Sequence, residues 1–312
     1  MRIISAVFPV LFLMLSIQPA RACEFCTIAY MGKKEKSAND KKHSFAAKVL
    51  FENQNWKEIP AGQAHQLHHQ GHHTHDKQDE QIIHTLLTAY VNDRLSFDLD
   101  IPYVTRHFIE IDSHAHLGEN QTSRGLGDIV ITGDYRLIQG QDKSLGIIAG
   151  LKTPSGGTDE YTSFGGLMEP ELQPGSGSLD YVAGLSGSLH LGAMDFSASV
   201  IYIYRTEGAQ DFRFSDLLSV SFHAEKKFDL KDKFWFKPGI MMNNQLEKKQ
   251  NNEDGAVKDS GGYTIFIGPQ ISLGYDSLGM EFSYLAPAVQ SLGGTHQELD
   301  KGIWASSLGI KF

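Results

Sequence analysis

The sequence predicts an all-β fold: a closed antiparallel transmembrane β-barrel of about 12 strands in up-and-down order. Three observations predict it. Apolar residues recur with period two from residue 43 to the end of the chain. The polar connections between these rows alternate short and long. A leader-like segment stands in front of them. The composition excludes other classes. Two cysteines are too few for a disulfide-stapled scaffold, and 28 Lys+Arg against 37 Asp+Glu argue against a nucleic-acid partner. With 18 Phe and 11 Tyr the chain is too aromatic to be disordered. A hydrophobic content of only 41% does not imply a soluble protein, because a barrel strand is apolar on one face only.

The first element is the leader. Arg2 gives a short positive region, Ile3 to Ile17 an apolar run, and Pro19 its break. Ala20 and Ala22 place small residues where a signal peptidase reads, so residues 1–22 are expected to be a signal peptide. Cleavage would leave Cys23 first and move the net charge from −9 to −11, by loss of Arg2 and Arg21. A lipid-modified Cys23 is the competing reading, disfavoured by Ala20-Arg21 before it. Residues 23–42 then form a segment expected on the periplasmic side, and residues 43–312 the barrel.

The strands follow in order at roughly 43–56, 80–92, 95–108, 127–138, 143–153, 179–191, 194–205, 211–227, 233–246, 262–275, 278–290 and 301–312. In the third, Leu95, Phe97, Leu99, Ile101 and Tyr103 alternate with Ser96, Asp98, Asp100 and Pro102. Alternate side chains point to opposite faces, so each row is one apolar face backed by a polar one. Short turns lie near Asn92-Asp93-Arg94, Gly140-Gln141-Asp142, Gly192-Ala193, 229–232 and Asp276-Ser277. Long loops lie near 57–79, 109–126, 154–178, 206–210, 247–261 and 291–300. The apolar rows should face outer-membrane lipid and the polar rows the lumen. Tyr103 and Phe108, Tyr202 and Tyr204, Phe212 and Phe214, and Phe234 to Phe236 are expected as interfacial girdles. The alternative is a secreted β-sandwich. Against it, Trp304, Leu308, Ile310 and Phe312 share one face of a final strand. A terminal aromatic there resembles the recognition signal of bacterial outer-membrane proteins, making the barrel-assembly machinery a partner through Phe312.

The stretches Gly125-Leu126-Gly127-Asp128-Ile129, Gly150-Leu151-Lys152-Thr153-Pro154-Ser155-Gly156 and Leu172-Gln173-Pro174-Gly175-Ser176-Gly177-Ser178-Leu179-Asp180 resemble one bacterial family. It is labelled the phenol-degradation meta-pathway or "transporter" family, and the resemblance covers residues 80–312. It implies an outer-membrane barrel passing small, often hydrophobic molecules, and supplies no catalytic residues. Read locally, these motifs are loop chemistry: Pro fixes φ and Gly permits positive φ. Gly125-Leu126-Gly127 precedes a strand rather than a helix, which argues against a phosphate cradle.

Two clusters fall outside that resemblance. His65, His68, His69, His72, His73 and His75 crowd eleven residues of loop 57–79, and His114 and His116 lie in the next long loop. Alternation puts both loops at one mouth. Neutral imidazoles bind Zn, Cu, Ni or Co and release them on protonation near pH 5–6. A solvated, low-complexity loop is the plainer reading. Cys23 and Cys26 form a CxxC pair, open to a soft metal, a redox disulfide or an inert one. Asp98, Asp100, Asp128, Asp134, Arg136, Arg205 and Arg213 are expected in the lumen, pairing across it or tuning selectivity. No triad order points to a nucleophile, so an enzyme is not expected and no cofactor is required. The expected function is an outer-membrane channel for small solutes, capturing or passing divalent metal ions in its sharper form. Uptake of hydrophobic molecules and a non-transporting structural or adhesive barrel are the alternatives.

Overall fold

The computed structural model describes residues 44–56, 78–111, 118–231, 233–253, 255–257, 260–293, 299 and 301–312. Sixteen strands follow in order: β1 (Phe45–Asn55), β2 (Gln78–Tyr90), β3 (Leu95–Ile111), β4 (Gly118–Leu126), β5 (Val130–Gln139), β6 (Lys143–Lys152), β7 (Asp180–Leu191), β8 (Met194–Tyr204), β9 (Leu217–Lys226), β10 (Phe228–Lys231), β11 (Phe234–Glu247), β12 (Asn251–Asn252), β13 (Gly255–Ala256), β14 (Gly262–Tyr275), β15 (Leu278–Leu292) and β16 (Ile303–Lys311).

These strands make twelve staves. β4 and β5 pair successive parts of β3 and form one stave broken at 127–129. β9 and β10 likewise pair successive parts of β11, and β12–β13 is a separate ribbon. All pairings are antiparallel, and β16 pairs β1 from Ala46↔Lys311 to Asn53↔Trp304. The sheet therefore closes on itself, leaving no edge to be satisfied by lipid. The Phe312 carbonyl accepts from the Ser44 and Phe45 N–H groups, so the terminal residue is stitched into the closing seam.

The alternation read from the sequence sets which side is wet. Val49, Phe51, Ile83, Phe97, Ile131, Leu145, Ile147, Leu151, Phe282, Trp304 and Leu308 all lie exposed on the outer face. So large a continuous apolar surface is untenable in water and suits a bilayer. The inner face buries Glu52, Glu80, His84, Asp100, Thr132, Asp134, Ser199, Ser221, His223, Asn243 and Gln270.

Two expectations need correction. The inner rows are not uniformly polar: Leu50, Ile148, Val182, Ile201, Ile203, Met241, Phe266, Leu285 and Ile303 point inward and are buried. They pack as two clusters, one on β6 to β9 and one on β1, β11 and β14 to β16. Nor do Phe108, Phe212 and Phe214 belong to a lipid girdle. All three are buried: Phe108 stands on the inner row of β3 with Val104 and Arg106, under Met168 and Leu172, while the segment carrying Phe212 and Phe214 turns in toward the long-loop mouth. For the same reason β9 starts at Leu217 rather than near 211.

Candidate functional site

The mouth at the long-loop end is built around Lys152. It ends β6 on the inner row that includes Ile148 and Gly150, and Asp180 stands directly opposite across the β6–β7 ladder. The Lys152 Nζ lies 2.9 Å from Asp180 Oδ2 and 3.1 Å from Asp128 Oδ2, and donates to Ser176 Oγ at 2.9 Å. Asp128 sits where β4 gives way to β5 and also accepts from the backbone N–H of Gly156 (3.0 Å) and Ser176 (2.8 Å). Asp180 accepts from the Thr206 N–H at 3.0 Å. Lys152, Asp128 and Asp180 are all buried. Charges so placed are tolerable only because each is paired and hydrogen-bonded.

This triad latches the loop between β6 and β7. Its two arms cross at Gly156 and Gly175, where a side chain on Gly156 would meet the Gly175 Cα at 2.5 Å. Beyond the crossing the loop folds inward. Leu172 and Met168 bury against Phe108 of β3. The Gln173 side-chain amide donates to the Glu160 and Met168 carbonyls (3.1 and 2.9 Å) and accepts from the Glu160 N–H (2.9 Å), while the Gln173 backbone carbonyl accepts from Arg106, itself paired with Glu80.

A second anchor holds the neighbouring loop. Asp216 accepts from Tyr202 Oη (2.7 Å), Lys248 Nζ (3.0 Å), Arg213 Nη2 (3.0 Å) and the Arg205 N–H (3.2 Å). Burial pushes the Asp216 carboxyl up, but the hydrogen bonds from Tyr202, Lys248 and Arg205 outweigh it. The group is held below the ordinary carboxylate range. Phe212 and Phe214 meet edge to face at 5.0 Å beside it. Lower in the lumen, His84 Nδ1 lies 3.0 Å from Asp100 Oδ2, and Gln54 donates to Glu52 at 2.6 Å. Asp98 accepts from Thr88 and Asp134 from Ser186.

Of the charges expected in the lumen, Asp100, Asp128 and Arg213 lie within 3.1 Å of an opposite charge or an imidazole, and Asp98 and Asp134 accept from hydroxyls. The pattern did not single out Lys152, Ser176, Asp180, Glu80, Arg106 and His84. Lys152, Ser176 and Asp180 stand in the stretches that carry the family resemblance, whereas Glu80, Arg106 and His84 showed only as charged or polar residues on the polar side of a regular row. His65, His68, His69, His72, His73, His75, His114, His116, Cys23 and Cys26 lie outside the described residues. The strand ends flanking the two histidine loops do lie together, since Gln78 of β2 pairs Phe108 of β3. Among the described residues, no group of three or more His, Cys, Asp or Glu side chains is arranged to hold a metal ion.

A family model described as "Putative MetA-pathway of phenol degradation" matches residues 87–285. The chain belongs to that family. Asp128, Lys152, Ser176 and Asp180, which meet in the latch, all lie within the matched residues. A solved outer membrane channel from Pseudomonas putida F1 has a similar fold. The TM-score is 0.59 at 13% identity, over 89% of this chain and 100% of that one. The β domain of the Bordetella autotransporter BrkA gives 0.48 at 9% identity, covering 87% and 100%. The transport unit of the Escherichia coli autotransporter AIDA-I gives 0.45 at 11%, covering 95% and 99%. No curated protein matches the chain. The molecule is an outer-membrane β-barrel of channel-like form, with the bacterial outer membrane as its location.

Proposed function

We propose that the barrel is a gated passage for small, uncharged or amphipathic solutes. The observation that carries this is the pair of apolar clusters inside a membrane barrel, beneath a loop that is latched by a buried ion triad. Apolar luminal walls favour solutes with an apolar body and disfavour ions, which would shed water there without gaining a partner. The paired charges at the mouth hold the loop. The reading is one of passage rather than catalysis. Swelling of proteoliposomes in neutral solutes tests it. Residues 158–173 can be excised, because the Gly175 N–H already bonds the Gly157 carbonyl at 2.8 Å and the cut ends are adjacent. Faster swelling after excision supports the gate; protein-free rates for both forms overturn it.

A second reading is metal capture at the same mouth. Eight histidines in two loops support it, together with the adjacent strand ends that lead into those loops. Zn, Cu, Ni or Co would be cargo rather than a resident cofactor. Calorimetry with Zn²⁺ tests it: replacing His65, His68, His69, His72, His73 and His75 by Ala should remove the binding, and unchanged affinity discards the site.

A further inference from the structure

On the lipid side of the barrel, at its long-loop end, adjacent staves set side chains at one level. Tyr181 of β7 stands opposite Tyr204 of β8, their rings 6.4 Å apart, and both are exposed. The Ile203↔Leu217 register, carried one step on, puts Asp216 beside Tyr204. The Lys248 N–H bonds the Asp216 carbonyl, extending the β9–β11 ladder one step past Leu217 and Glu247. One level lower on the same face come Tyr202, Leu218, Leu246 and Tyr263, each opposite the next.

Two cations converge on this belt. Arg213 Nη2 and Lys248 Nζ each lie 3.0 Å from Asp216, on its two different oxygens. The Arg213 Cζ stands 5.1 Å from the centre of the Tyr204 ring, and Lys248 Nζ stands 6.0 Å from that of Tyr202. The Asp216 side chain is buried, whereas that of Lys248 is 72% exposed and that of Arg213 34%. The carboxylate thus holds two cation heads side by side and cancels one of their two charges. It needs only one of them, since it also accepts from Tyr202 Oη and the Arg205 N–H. One positive charge is left over, carried by donors suited to phosphate oxygens and seated on tyrosine rings. Tyrosines and cations above an apolar row match a membrane interface. The long loops place this interface in the outer leaflet.

We propose that Arg213 and Lys248, held together by Asp216, form a site for the phosphate of an outer-leaflet glycolipid whose acyl chains lie along Val200, Leu218, Leu246 and Ile240. The site is independent of whether the lumen conducts.

The test folds the full chain into lipid-free detergent micelles and titrates it with diphosphorylated lipid A. Native mass spectrometry counts the lipid retained. Wild-type binding should saturate, and dephosphorylated lipid A should bind more weakly. Lys248→Gln should weaken lipid A about fivefold, and R213Q/K248Q about thirtyfold. The single variant keeps Arg213, Tyr202 and the Arg205 N–H on Asp216, so it should still fold, which heat-modifiable gel mobility reads. Arg124, exposed on the outward row of β4 with Leu126, is the control for general surface charge, and Arg124→Gln should bind as wild type does. Equal affinity in Lys248→Gln and wild type, an equal loss in Arg124→Gln, or equal binding of dephosphorylated lipid A would overturn the site. Displacement of lipid A by equimolar inorganic phosphate would overturn the lipid as its occupant.

Discussion

Lys152 is the residue whose loss the structure makes most consequential. Replacing it by Met keeps the aliphatic stem and deletes the ammonium, leaving Asp128 and Asp180 facing one another across a buried gap. Breaking a buried ion pair by removing one partner costs about 3–5 kcal/mol, because the remaining charge stays desolvated. Two carboxylates share this cation, so the upper part of that range applies, softened by the backbone N–H groups of Gly156 and Ser176 that still hold Asp128. At ~1.4 kcal/mol per decade, Lys152→Met should lower the folding equilibrium by at least a hundredfold. The assay is urea unfolding of the barrel in lipid vesicles, read by fluorescence of its three tryptophans. The triple change D128N/K152M/D180N removes the stranded charges and should recover part of the loss. A Lys152→Met cost below about 1 kcal/mol, of the size expected for an exposed pair, would refute the reasoning. So would a triple variant no better than the single one.

Four further outcomes are expected. The Asp216 carboxyl titrates below its unfolded value, so its contribution to stability is complete above about pH 4 and is lost as pH falls through the lower, folded value. Asp216→Asn should flatten that acid limb in Tm-against-pH curves. Gly156→Ala places a methyl against backbone of Gly175 and Gly127 and should destabilise by about 1–3 kcal/mol in the same urea titration. Deleting Phe312 should reduce the amount of folded barrel recovered in outer-membrane fractions, seen by heat-modifiable gel mobility. The Zn²⁺ affinity of the full chain should fall between about pH 7 and pH 5 as imidazoles protonate.

The barrel was legible because lipid and water impose a strict period on every strand. Phe97, Ile131, Ile147 and Leu151 could be assigned to the outside from alternation alone, and the short turns marked where the chain reverses. Closure of the sheet was legible because lipid offers no partner to an open edge, whereas Phe312 was read only as an assembly signal. The inner wall was harder to read. Ile148 and Ile201 sit in rows that alternate with other apolar residues, so period two does not distinguish their faces, and the luminal clusters were missed. Phe108 is opposite in parity to Tyr103, so period two already placed it on the inner row; Phe212 read as a girdle aromatic because sequence cannot show a segment turning into the mouth. The latch shows the same limit. Asp128, Lys152, Ser176 and Asp180 each look like turn or strand-end chemistry, and they meet only because ladder register and the Gly156–Gly175 crossing bring three segments together.

The most direct measurement of the central claim is the swelling rate of proteoliposomes in neutral solutes, comparing the wild-type barrel with the form lacking residues 158–173. The Asp128–Lys152–Asp180 latch stays intact in both. A passage closed by the inward loop predicts slow swelling for the wild type and faster swelling after excision. Equal rates, or protein-free rates from both, would contradict it and leave a barrel that spans the membrane without opening a way through.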